Sequence, residues 1–289
     1  MPAAAQVVLP WEKAVAEIEA GRIRNFAERL SKQNILFQMH LGGVRKDDLI
    51  ETAEQLDTVV ERLREGSPSY SIPAPWTPAL RKQVQKVDET WDALRTVAVA
   101  DPYRYMSPDF APAVNRGTDP LLLRYFDNLA GQLIAESLIL LELYHEECKK
   151  SGLVVCDPVR DSGYAAMIIE RATKHAVFLV AGIDTENHRA GLKTTMEDYA
   201  RLRRANNENP FFAEVLNPER GASANAAGEL LVSLRKDWDD LSVEFRMLAA
   251  GDERNFDLRR MLEIQDRLVG KVERLSAAFV RYASRAYGS

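Results

Sequence analysis

Apolar residues recur along this chain at three- and four-residue intervals, and its long stretches show no strand-like alternation. Ile23, Phe26, Ala27, Leu30, Phe37 and Leu41 form one stripe. Ile168, Ile169, Ala172, Ala176, Leu179, Val180 and Ile183 form another. That rhythm belongs to helices burying one face. It predicts four helices over residues 11–41, 47–64, 78–99 and 120–149, and four more over 161–182, 185–205, 223–249 and 252–287.

Punctuation agrees with the pattern. Thr77-Pro78 and Asp119-Pro120 each place a capping oxygen before a proline at the first helical position, where its missing N–H does no harm. Gly42-Gly43 and Gly182-Ile183-Asp184 mark turns after the first helix of each set. Pro68, Pro73 and Pro75 share one loop, Pro102, Pro108 and Pro112 a second, and Pro210 and Pro218 a third, all outside the predicted helices. The loop over residues 101–119 carries Tyr103, Tyr105, Met106 and Phe110. Its aromatics favour packing over a bundle end, ahead of ligand contact.

The two sets of helices share sequence. Gly21, Glu28, Arg29 and Lys32 recur as Gly163, Glu170, Arg171 and Lys174, with Ser31 echoed by Thr173. Trp91-Asp92-Ala93-Leu94 is echoed by Trp238-Asp239-Asp240-Leu241, and Leu129, Gly131 and Ser137 by Leu268, Gly270 and Ser276. The expected fold is therefore all-α, with two tandem four-helix modules, residues 1–150 and 151–289, in an elongated or pseudo-twofold bundle. A ligand site between like modules is one consequence.

Composition narrows the function. Lys and Arg number 38 against 43 Asp and Glu, a net charge of −5, which argues against a nucleic-acid binder with a broad basic face. No apolar run approaches the ~20 residues of a membrane span. The start, Met1-Pro2-Ala3-Ala4-Ala5-Gln6, lacks the basic and apolar regions of a signal peptide, and is compatible with the stub beyond a removed one. A periplasmic location is the expectation, with a cytoplasmic one still open. The two cysteines, Cys148 and Cys156, flank the junction between the halves. In an oxidising compartment a disulfide would staple this joint. Two separate thiols are the other reading, because spacing does not set the Cα separation.

On a helix advancing 100° per residue, Arg22, Arg29 and Gln33 lie along one border of the first stripe. Tyr164, Arg171 and His175 occupy the same border of the second, and Arg24 lies on the opposite border, where the second copy has Ala166. Border arginines commonly cover apolar surface while pairing with carboxylates such as Glu28 and Glu170. Alternatively, two facing helices bring such forks of donors together around an anion. Glu142 and His145 have the spacing of a di-iron ligand pair, but His40, His175 and His188 supply no second pair. His145, Cys148 and Cys156 fit no standard zinc spacing. No phosphate loop or nucleophile motif is present, so no cofactor, metal or enzymatic activity is expected.

Ala20-Gly21-Arg22-Ile23-Arg24, followed by Arg29-Leu30-Ser31-Lys32, resembles the motif Ala-Gly-Arg-x-Arg-Met-Leu-Ser-Gln-Arg-x-x-Lys. That motif opens the sensor domain of type IV pilus methyl-accepting chemotaxis transducers of the PilJ type, and nitrate-sensor kinases have similar domains. Asn25, Phe26, Ala27 and Glu28 depart from it, and the second copy keeps Gly163, Met167, Arg171 and Lys174 but has Tyr164 and Ala166 for the early arginines. A tryptophan in a later helix is common in such domains, matching Trp91 and Trp238. The resemblance implies a helical sensory module that binds a small ligand and relays to a membrane-bound chemoreceptor, kinase or similar protein. In the nitrate sensors the arginine three residues after the motif glycine grips the anion across a symmetric interface, and here that position is Arg24. With Ala166 opposite, the implied site is lopsided. Its candidate ligand-binding residues are Arg22, Arg24, Arg29, Gln33, Tyr164, Arg171 and His175, and its ligand has one anionic end. The rival expectation is a helical adaptor that binds a protein partner and no small ligand.

Overall fold

The computed structural model describes residues 8–99, 120–217, 219, 222–252 and 256–287. Among these residues the chain forms nine α-helices, one 3-10 turn (Pro68–Tyr70) and no strand. They are α1 Pro10–Gln38, α2 Lys46–Glu65, α3 Pro78–Val99, α4 Pro120–Lys149, α5 Cys156–Val180, α6 Thr185–Glu208, α7 Pro210–Val215, α8 Ala222–Ala249 and α9 Leu258–Tyr287. The all-α expectation holds. The aromatic loop over residues 101–119 lies outside the described residues.

Local chemistry accounts for most helix ends. The Leu9 N–H donates to the Glu12 carboxylate at 2.8 Å and the Arg45 N–H to Asp48 at 2.7 Å, each satisfying a donor that the first turn leaves free. Thr77 accepts from the Leu80 N–H at 3.1 Å, as its place before Pro78 predicts. The turn after α1 runs through His40, Gly42 and Gly43 at positive φ, and that after α5 through Gly182 and Asp184. Three elements differ from expectation. Helix α9 begins at Leu258, six residues late. Helix α5 begins at Cys156, five residues early, with Pro158 in its first turn, where no intrahelical N–H bond is lost. Residues 210–215, read as loop, form α7, with Pro210 at its start and the Asn209 side chain accepting from the Phe211 N–H at 2.9 Å.

Two apolar clusters organise the packing. One joins α1 to α4 through Ile23, Leu30, Leu56, Trp91, Leu133 and Leu140. The other joins α5, α6, α8 and α9 through Ile168, Leu179, Leu192, Phe245, Leu268 and Phe279. Helices α1 and α5 pack on each other and on helices of both clusters. Helix α1 changes allegiance along its length: Ile35 and Leu36 enter the second cluster, so they are buried where Phe37 and Leu41 are half-exposed. Being covered on nearly every side, α1 and α5 also bury charge, including Glu17, Arg24, Glu28, Lys32, Glu170 and Lys174. Buried charges need partners, and where they find them defines the centre of the molecule.

Candidate functional site

The crossing of α1 and α5 is close because both helices present glycine. A Cβ placed on Gly21 would lie 3.9 Å from the Gly163 Cα, and the converse distance is the same. Two turns further on, the recurring Glu-Arg-x-x-Lys segments pair reciprocally. Glu170 accepts from Arg29 Nε at 2.9 Å and Lys32 Nζ at 2.8 Å. Glu28 accepts from Arg171 Nε at 2.7 Å and lies 2.8 Å from Lys174 Nζ. Burial alone would raise the Glu170 carboxyl, but Lys32 and Arg29 hold it below its ordinary value. Asp127 on α4 extends the network to Lys174 (2.9 Å) and Ser31 (2.6 Å), while Gln265 on α9 accepts from Lys32 at 2.5 Å.

The seven candidate residues separate into two groups and His175, which pairs with His188. Arg22, Arg29 and Gln33 face α9, and Arg29 and Gln33 line a groove there with Asp48, Gln55 and Asp266. Arg22 bonds Glu19 at 3.1 Å, approaches Glu273 at 3.8 Å and, like Arg29, packs its guanidinium on Phe26. Arg29 and Arg171 are held by glutamates. His175 sits against His188, Nδ1 to Nδ1 at 2.9 Å, with burial, Lys174, His188 and Arg171 pushing its imidazole down to about 3. The residues brought together are Arg24 and Tyr164, with Arg171 close enough to Arg24 to act on its charge.

Arg24 differs from every other cation at this crossing. It is 2% exposed, and its Nε and Nη2 have no hydrogen-bond partner. Burial, then the neighbouring Arg171, lowers its guanidinium to about 10, against the pull of Tyr164, Glu142 and Glu28. The guanidinium lies 5.8 Å from the Tyr164 ring centre, and both line a cavity of about 400 Å³ between α1, α4, α5 and α6. Leu138, Leu141, Leu202 and Ala205 form its apolar wall. The other charges there are mostly paired, Arg160 with Asp161 at 3.3 Å and Arg201 with Asp198. A smaller cavity of about 260 Å³ opens at the glycine contact, with Arg22 and Ala166 in the places of Tyr164 and Arg24.

A buried acid–base cluster was not anticipated. Glu17 is fully buried, and burial raises its carboxyl to about 7 despite a 2.7 Å contact to His145 Nδ1. Arg160 Nη1 reaches His145 Nε2 at 3.2 Å, linking this pair to the Arg24 cavity. The only trace in sequence is the run of small residues Ala14, Ala16 and Ala20 around Glu17, which lets neighbouring helices close over it. Cys148 and Cys156 form a disulfide with Cα atoms 5.9 Å apart, tying the end of α4 to the start of α5.

Residues 14–103 match the family of type IV pili methyl-accepting chemotaxis transducer N-terminal domains (PilJ). No curated protein and no solved structure matches the chain. The matched stretch takes in α1 to α3 and so contains Gly21, Arg22, Arg24, Arg29 and Gln33. The similarity is to a sensory domain of signal transduction, not a catalytic one. Tyr164, Arg171 and His175 lie outside it.

Proposed function

We propose that this protein is a non-catalytic sensory module that binds a small molecule through an anionic group at Arg24 and relays binding to a membrane-associated chemoreceptor or kinase. The observation that carries this reading is the Arg24 guanidinium, buried at a cavity wall with two of its nitrogens unpartnered. Buried cations without counter-charge are costly, and an anion arriving in the cavity would supply that charge. Tyr164 adds a phenolic donor from the facing helix. Supporting this are the PilJ match and the disulfide, which suits an extracytoplasmic, periplasmic location. The reciprocal Glu28 and Glu170 pairs support two tandem modules, residues 1–150 and 151–289, meeting as a pseudo-dimer. On that view the Arg24–Tyr164 and Arg22–Ala166 cavities are diverged copies of one site.

Calorimetric titration of nitrate and of short aliphatic carboxylates against the native protein and Arg24→Met tests the proposal. Binding by the native protein and its loss in the variant is the expected result. Equal affinity in both proteins, or no binding of any anion, refutes it and leaves the adaptor reading.

A further inference from the structure

We infer that the ligand of the Arg24 cavity is an aliphatic zwitterion, an α-amino acid with a branched hydrocarbon side chain. The inference rests on the anion site proposed above and adds the rest of the molecule to it. Three arginines and three carboxylates line the cavity, so its formal charge sums to zero. Arg160 and Asp161 neutralise each other at 3.3 Å, and Arg201 and Asp198 do the same. Two groups of opposite sign are then left with no ion-pair or hydrogen-bond partner among the described residues: Arg24, deep and buried, and Glu142, exposed at the cavity's edge on α4. Glu142 is near enough to act on the charge of Arg24 yet makes no salt bridge with it.

A bare anion would satisfy Arg24 and leave Glu142 unanswered. It would also bring net negative charge to a balanced cavity. A ligand with a carboxylate and an ammonium answers both groups and adds no net charge. Between them Leu138, Leu141, Leu202 and Ala205 offer a wall that hydrogen-bonds to nothing and rewards hydrocarbon. An inorganic oxyanion such as nitrate would leave that wall wet. A branched aliphatic side chain covers it.

Isothermal titration of the full chain with L-leucine, isovalerate (the same hydrocarbon without the ammonium), isoamylamine (without the carboxylate) and nitrate separates the possibilities. L-leucine is expected to bind the native protein about fivefold more tightly than isovalerate, the scale of one partly exposed charge pair. Glu142→Gln, a change at an exposed position, removes that advantage and leaves isovalerate binding unchanged. Arg24→Met abolishes binding of both. If isovalerate binds as tightly as L-leucine and Glu142→Gln alters neither, while Arg24→Met still abolishes binding, the zwitterion is wrong and the anion site stands. If no ligand binds, or if binding is indifferent to Arg24→Met, both fall.

Discussion

Gly21 and Gly163 touch across the α1–α5 crossing, each with space for a Cβ 3.9 Å from the other's Cα. That distance is ordinary van der Waals contact, so one methyl fits. Gly21→Ala is therefore expected to be neutral or to stabilise by up to about 1 kcal/mol through helix propensity. Gly21→Leu must either displace Gly163 and Leu141 or crowd into the small cavity beside them, and is expected to cost about 1–3 kcal/mol. Urea midpoints of the two variants check the contrast. Destabilisation by alanine as large as by leucine would mean that the helices are closer than this contact allows.

The reciprocal ion pairs predict a strong dependence on the glutamates. Glu170 is fully buried and answers both Arg29 and Lys32, of which Lys32 is itself buried. Glu170→Gln leaves a buried ammonium short of its counter-charge and is expected to cost about 3–5 kcal/mol. Removing the exposed pair of Arg64 with Asp88 by Asp88→Asn should cost under about 1 kcal/mol. Thermal or chemical melting of the two variants side by side measures the difference.

The disulfide closes a loop with a sequence separation of 8 between α4 and α5. Chain-entropy reasoning assigns a loop this short about 2–3 kcal/mol. Cys148→Ser with Cys156→Ser should lower the denaturation midpoint accordingly, and a thiol reductant should shift the native protein but not the double variant. A reductant shift of equal size in both would show that the bond is absent in solution.

Much of this architecture was legible because apolar spacing, proline and glycine are local signals. All eight expected helices begin within about six residues of their observed starts for that reason, and the six-residue α7 escaped because it is too short to show a period. Helical geometry also placed Arg22, Arg29 and Gln33 on one border of α1 and Arg24 on the other, as the cavities now show. Pairing was a different matter. Nothing local to Arg29 says that its carboxylate is Glu170, or that Glu28 waits for Arg171. Nor does any local signal say that Arg24 is left without such a partner. Those facts depend on which faces α1 and α5 turn to each other, over more than a hundred residues of chain.

The histidine pair predicts a pH effect of definite sign. Burial and the charges of Lys174 and Arg171 depress His175 to about 3, opposed by Asp127, and burial lowers His188 as well. Between the ordinary histidine value near 6.5 and 3 the unfolded chain binds more protons, so this pair's contribution to stability is lost as pH falls through that window. Glu17, raised to about 7, works in the opposite sense over much of the same range. The informative quantity is therefore native minus His175→Gln. The loss of stability between pH 6.5 and 4.5 should be smaller in the variant, by up to about 1.4 kcal/mol per pH unit for the one group removed. Parallel curves for the two proteins would contradict the burial of a neutral His175.

Arg24 supplies the prediction that most directly joins stability to function. A residue kept for packing loses stability when it is replaced. One kept for a ligand imposes a cost on the empty protein and repays it on binding. Arg24→Met retains most of the side chain's hydrocarbon while removing a buried charge with two unpartnered nitrogens. The empty variant is expected to be as stable as the native protein or more so, by up to about 1–4 kcal/mol, as when other buried charges give way to hydrocarbon. A ligand that binds the folded native protein should raise its melting temperature by mass action, and the variant's should stay where it was. Thermal melts of both proteins, with and without ligand, read the two effects together. A variant that melts several degrees lower when empty would make Arg24 a structural residue, and would remove the main reason for placing an anion beside it.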